Sequence, residues 1–156
     1  MAEILPDEGL DYIVNVLLKN GGSPANLYLF LWKGGSATTV PASTATIGTM
    51  GGTFAEVTTT DYPGYARLAV AVADWGTIGA KTIWSQATRG ATAAQKSFAG
   101  ATSAATPSAA INGFGLASAS TAGVALMYSN FDDTTGVSSL ALGDIIRITP
   151  TFGLGG

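Results

Sequence analysis

The segment TFAEVTTTDYPGYARLAV, residues 53–70, gathers Glu56, Asp61, Tyr62, Tyr65 and Arg67 in a chain of 156 residues of which only 11% are charged. Two carboxyl groups this close in sequence are the raw material of glycoside hydrolysis, which needs an acid pair about 5–10 Å apart across a cleft, one of them with a raised pKa. The same residues also fit a plain turn. Asp61-Tyr62-Pro63-Gly64 can reverse the chain so that Glu56 and Arg67 face each other on adjacent strands, where an unlike pair stabilises a sheet without any special environment. Cross-strand charge pairs are common and working carboxylate dyads are rare, so the cross-strand pair is the expectation. On that reading, replacing Glu56 with Gln costs about 1 kcal/mol or less, as for an exposed ion pair.

Other constellations are weaker. Asp132-Asp133-Thr134-Thr135-Gly136 is rich in oxygen, as a Ca²⁺ loop is, but it lacks the regular alternation and the closing Glu of such a loop, and an Asp-rich turn accounts for it. Trp32, Trp75 and Trp84 could form a platform for stacking on sugars. Each lies in or beside an apolar run, which favours core packing. The glycine pairs at 21–22, 34–35, 51–52 and 155–156 do not sit between a strand and a helix with Lys-Ser/Thr following, so no phosphate loop is present.

Composition narrows the chemistry further. There is no Cys and no His, which removes the usual ligands of zinc, copper and haem and the commonest general base near neutral pH. A Ser-His-Asp or Cys-His mechanism is excluded, and neither a cofactor nor a metal is expected. Net charge is −3 and the isoelectric point about 4.6, with no cluster of Lys or Arg to displace counterions from a nucleic acid. The longest strongly apolar runs, Leu27–Trp32 and Leu68–Ala73, fall far short of the ~20 residues that span a bilayer. The N-terminus is acidic where a secretory signal is basic. Mean hydropathy is nevertheless +0.34, and since monomers keep exposed apolar patches to a few hundred Å², burial against other subunits is expected. Abundant Ala, Gly and Thr raise the same index without making patches.

The elements that position these residues follow from periodicity. Leu10, Ile13, Val14, Leu17 and Leu18 form one apolar stripe with Asp11, Asn15 and Lys19 opposite, which predicts an amphipathic helix over about 7–20, capped by Asp7 and closed by Lys19-Asn20-Gly21-Gly22. Its Leu10, Ile13, Leu17 and Leu18 would dock on the chain's own sheet or on another subunit. After it everything reads as β. Leu27, Tyr28, Leu29, Phe30, Leu31 and Trp32 are apolar on both faces, so this strand should be covered on both sides. Residues 36–53 read as a long surface loop. Further strands are expected at 54–58, 66–73, 81–85, 95–98, 110–117, 124–130 and 144–152, with a hairpin joining 111–118 to 124–131 and Pro150 marking an edge position. Short strands at this spacing predict a mainly β, antiparallel sandwich or jelly-roll-like single domain over about 26–153, with one N-terminal helix.

The order of pieces resembles small structural proteins of tailed bacteriophages. The resemblance rests on LPDEGLDYIVNVLL at 5–18, LYLFLW at 27–32, Glu56-Val57 followed by Gly64-Tyr65-Ala66-Arg67, and GDIIRI at 143–148. It implies a β-sandwich virion protein without enzymatic activity, of the kind found among capsid decoration (cement) proteins and tail or fibre components. The partners implied are the major capsid protein lattice and further copies of the chain, as a homotrimer, on the virion surface. A fibre-tip module that binds a host-surface glycan is the alternative. The turn at 58–63 is longer than the usual Gly-rich link, and 86–110 is unusually rich in Ala, Thr and Ser; both fall on expected loops.

Overall fold

The computed structural model describes residues 3–4, 6–18, 25–36, 39–83, 86–131 and 136–155. Along them run β1 (Glu3–Ile4), α1 (Asp7–Leu18), β2 (Asn26–Lys33), β3 (Ala55–Glu56), β4 (Leu68–Ala71), a 3-10 turn (Val72–Asp74), β5 (Gly79–Ile83), β6 (Gln86–Thr92), β7 (Lys96–Ser97), β8 (Ile111–Ala117), β9 (Ala125–Asn130), β10 (Arg147–Ile148) and β11 (Thr151–Gly155). The protein is mainly β; among the described residues all strand pairs are antiparallel and there is one α-helix. The central sheet has the order β1-β9-β8-β2-β3, with β4 also paired to β2; β10 pairs with β7, and β11, β6 and β5 form a third sheet.

β2 is the middle of the molecule because its sequence leaves it no solvent face. Side chains alternate along a strand, so Leu29 and Leu31 enter one apolar cluster with Leu116, Met127, Tyr62 and Phe98, while Phe30 and Trp32 enter a second with Tyr128, Ala125, Ala45 and Met50. All four of these β2 side chains are fully buried. The expected cover on both sides is present.

Register between β2 and β8 is fixed by shape. Phe30 stands opposite Gly115 and Trp32 opposite Gly113. A Cβ on Gly115 would strike the Phe30 ring and the Met127 carbonyl, and one on Gly113 would strike the Trp32 ring and the Ser129 carbonyl. With no side chain in the way, the Trp32 indole crosses β8 and donates Nε1–H toward Phe114 O (3.0 Å) and Ser129 O (3.1 Å). A slip by one residue would put Phe30 against Phe114 or Leu116 and Trp32 against Asn112 or Phe114, and set the aromatics on the wrong face of the partner strand.

The helix exists but packs differently from its predicted stripe. Leu10 is 45% exposed, whereas Gly9 is buried, Tyr12 packs on the first core, and Ile13 and Val16 line a groove beside it. The docked face is therefore 9, 12, 13 and 16. Gly9 sets it, since a Cβ there would meet the backbone of Ala125 and Leu126 in β9. Asp7 is the first helical residue and not its cap, and Pro6 O accepts from the N–H groups of Gly9 (2.9 Å) and Leu10 (3.1 Å). The side chains of Leu17 and Leu18, and residues 19–20, lie outside the described residues.

Several strands differ from expectation. The segment 86–92, too polar to suggest a strand, is β6 and pairs on both sides, with β5 and with β11. The closing segment is not one edge strand. Pro150 splits it, sending Arg147–Ile148 to β7 and Thr151–Gly155 to β6, and Pro150 is itself buried with its carbonyl accepting from Ala93 N–H at 2.8 Å. Segment 39–53 is irregular as expected, but it is a cover rather than a surface loop: Pro41, Ala45 and Met50 are buried over the second aromatic cluster.

Gly115→Ala is expected to cost several kcal/mol, as overpacking against backbone does. Gly48 has open space about it and no positive φ, so Gly48→Ala should be neutral or stabilising by up to about 1 kcal/mol. Urea denaturation of the two variants beside the parent checks both, and equal losses would refute the shape argument for the register.

Candidate functional site

The chemistry-bearing segment folds along one edge of β2. β4 covers Asn26–Leu29 of that edge and β3 covers Trp32–Lys33. Glu56 and Arg67 therefore do not face each other on adjacent strands, as expected from the turn; their strands lie end to end along the same side of β2. Between them the sheet has a gap at Leu31, and a side chain fills it. Leu31 N–H donates to Tyr65 Oη (3.1 Å), Tyr65 O–H donates to Glu56 Oε1 (2.9 Å), and Val57 N–H closes on Leu31 O (3.0 Å).

Arg67 locks that arrangement. Its Nε and Nη2 bind the two Glu56 oxygens at 2.8 and 2.6 Å, a bidentate fork. Nη1 donates to Ala119 O (2.9 Å) and Ala122 O (2.6 Å) in the β8–β9 loop, where Ala122 holds a left-handed φ of 49°. The guanidinium also lies 5.5 Å from the Phe30 ring centroid. The side chains of Arg67 and Glu56 are only 6% and 23% exposed, so this is not the surface pair whose removal costs about 1 kcal/mol or less. The hydrogen bonds that Arg67 donates to Glu56 push its pKa up, and burial, with the Glu56 carboxylate next, pushes the Tyr65 phenol far above its ordinary value.

Asp61 forms a second knot. It is 2% exposed and accepts from Lys33 Nζ (2.6 Å), Thr58 N–H (3.0 Å), Thr58 Oγ1 (2.7 Å), Ser108 N–H (3.1 Å) and Ser108 Oγ (3.0 Å). Burial works to raise its pKa, but the Lys33 ammonium and these four further donors win and hold the carboxyl well below the usual carboxylate range. Asp74 ties the 3-10 turn in the same style, accepting from Ala71 N–H (2.7 Å) and Lys96 Nζ (2.6 Å).

What these groups can do chemically is limited by how fully they are engaged. A glycosidase acid needs a raised pKa, and Asp61 moves the other way. Ser108 Oγ lies 2.7 Å from Lys33 Nζ, which has the look of a Ser-Lys pair, but the hydroxyl's own proton points to Asp61, a carboxylate too depressed to be a useful base. Trp32 is buried with its indole N–H spent on backbone, Trp75 is half-buried against the first core, and Trp84 lies outside the described residues, as do Asp132–Thr135. Among the described residues no group of three or more acidic side chains could hold a metal, and no helix is long and apolar enough to cross a membrane. A groove of about 270 Å³ opens beside α1, lined by Tyr12, Ile13, Val16, Leu27, Val70, Val72, Trp75 and Phe152 among others. Among the described residues its lining carries no carboxylate and no amine.

Of the residues singled out in the sequence, the structure brings Glu56 and Arg67 together and places Leu27, Leu29, Phe30, Leu31 and Trp32 in the core strand. Tyr65, Lys33, Thr58 and Ser108 were not anticipated. Thr58-x-x-Asp61 was a readable local signal, a side chain reaching back to a backbone N–H; Ser108, 47 positions from Asp61, had none. No protein-family model and no curated relative matches the chain.

Two outcomes follow. Glu56→Gln should cost about 2–3 kcal/mol, between the values for exposed and buried pairs, and Tyr65→Phe about 1–3 kcal/mol through the stranded Leu31 N–H, both read from urea midpoints. Asp61, depressed in the folded state, stabilises at all pH values above its unfolded pKa of about 3.9 and loses that contribution as pH falls; the buried tyrosines, raised, stabilise below about pH 10 and lose it above. With no His to titrate, stability should be flat from about pH 5 to 9. Asp61→Asn should lower the plateau and flatten the acid limb, and an unchanged acid limb would remove Asp61 from this account.

Proposed function

We propose that this chain is a non-enzymatic structural protein of a tailed-bacteriophage particle, and specifically a capsid decoration protein that sits as a homotrimer on the assembled shell and reinforces it. The observation that carries the reading is the use to which the chemistry-bearing residues are put. Glu56, Tyr65 and Arg67 close a sheet edge and Asp61 ties three segments together, while Leu10, Val72, Ile78, Leu142 and Ile145 remain on the outside. A chain that spends Glu56, Asp61 and Arg67 on internal contacts and leaves large apolar side chains exposed is suited to binding other protein surfaces. The resemblance of its order of sequence pieces to small virion proteins is what supports a phage shell as that surface.

In this role the mechanism is binding linkage. A protein that binds the assembled lattice and not its dissociated subunits stabilises the lattice by the free energy of binding, and a three-fold oligomer matches three-fold sites on a shell. The purified chain should sediment as a trimer, bind expanded shells and raise the temperature at which they lose their contents. Absence of binding, with unchanged shell resistance, overturns the proposal, and binding to whole host cells instead would move the protein to a fibre tip.

A further inference from the structure

The two faces of the central sheet are covered in different ways, and the difference assigns a moving part. The cover on the first face includes α1 and strand residues held by backbone pairing outside the central sheet, among them Ile148. Over the second face lies segment 39–53, which seats Ala45 and Met50 on Phe30, Trp32 and Tyr128. Its backbone bonds are almost all internal: Thr39 N–H to Ser36 O, Ala45 N–H to Ala42 O, Thr49 N–H to Thr46 O, and Phe54 N–H to Gly51 O. Apart from contacts with the flanking Ser36 and Phe54, one hydrogen bond among the described residues joins 39–52 to the body of the protein, from Asp7 N–H to Ser43 O at 2.8 Å. At its far end Gly51 and Gly52, with φ of 75° and 58°, have open space around them, and Thr53 Oγ1 is anchored by Gly35 N–H.

Beneath this cover something is left unpaid. Tyr128, fully buried in the same cluster, has a hydroxyl with no hydrogen-bond partner among the described residues. A buried polar group without a partner favours any state in which water can reach it.

We propose that residues 39–53 form a strap that releases as a unit, hinging at Gly51-Gly52, and uncovers the Phe30–Trp32–Tyr128 face while the central sheet stays folded. Its seat is apolar burial plus one backbone bond, and its opening hydrates the Tyr128 hydroxyl. The sheet keeps its register during release because the Phe30 and Trp32 rings are held by β8 and β9, not by the strap. Local openings of this kind lie below global unfolding in free energy and expose little surface, so they depend weakly on denaturant.

The unmodified protein carries its own reporters. Met50 is on the strap and Met127 is on β9, and both are buried. Under dilute hydrogen peroxide, with sulfoxide formation followed by peptide mass spectrometry at several sub-denaturing urea concentrations, Met50 should oxidise through an opening with shallow urea dependence. Met127 should oxidise only along the slope of global unfolding. Asp7→Pro deletes the donor of the single bond at a helix position that accepts proline, and should speed Met50 oxidation about tenfold; Tyr128→Phe removes the stranded hydroxyl and should slow it about tenfold. Equal urea slopes for Met50 and Met127 in the parent, or a Met50 rate that neither substitution moves relative to Met127, overturn the strap.

Discussion

β2 has no side on which water can satisfy it. Its faces carry Leu29 and Leu31 in one direction and Phe30 and Trp32 in the other, and both of its edges are occupied. Every backbone group along such a strand must find a protein partner, because a buried unpaired N–H or C=O costs about as much as the hydrogen bond it lacks. One edge is solved by β8, whose glycines let the aromatic rings lie flat. The other is solved by two short strands that fail to meet, with Tyr65 bridging the gap. The phenol is the acceptor that Leu31 N–H needs, Glu56 is the acceptor that the phenol needs, and Arg67 neutralises Glu56. The cluster that looks like an acid pair is the consequence of that one interrupted edge.

The same logic explains why so few charges suffice. Lys33 closes the end of β2 on Asp61, and Asp61 in turn holds the 58–61 turn and the chain at Ser108. Removing any one partner strands the others, so each charge acts as a fastener between segments distant in sequence. Arg67 does this too, reaching the β8–β9 loop 52–55 positions away and keeping Ala122 in a conformation that alanine rarely adopts.

Periodicity made the class of the fold legible: the mainly β pattern, the two-faced strand at 26–33, the 111–130 hairpin and the presence of a helix are all written in local alternation. What escaped was decided between segments. The helix leaves Leu10 of its apolar stripe outside because Gly9 allows a closer approach to β9 than Leu10 does. β6 was hidden because a strand paired on both edges can be built from Thr, Ala and Gly when backbone bonds carry it. Pro150 read as an edge marker, but it also redirects the chain from one sheet to another. The glycines of β8 are slots cut to the rings of Phe30 and Trp32, a role that no local pattern signals. In the site, the pairing of Glu56 with Arg67 was legible from charge and spacing, while the gap that gives it purpose depends on where β3 and β4 stop.

The two aromatic residues of β2 also order the events that can happen to the second face. Their rings are seated on Gly113 and Gly115, and the Trp32 indole is bonded to β8 and β9 backbone, so nothing in the sheet requires segment 39–53 for its register. The converse does not hold. Ala45 and Met50 have a place to sit only if the rings are already flat against β8. Sheet formation can therefore precede seating of the cover, whereas a disturbance at Gly113 or Gly115 dismantles the platform and the cover together.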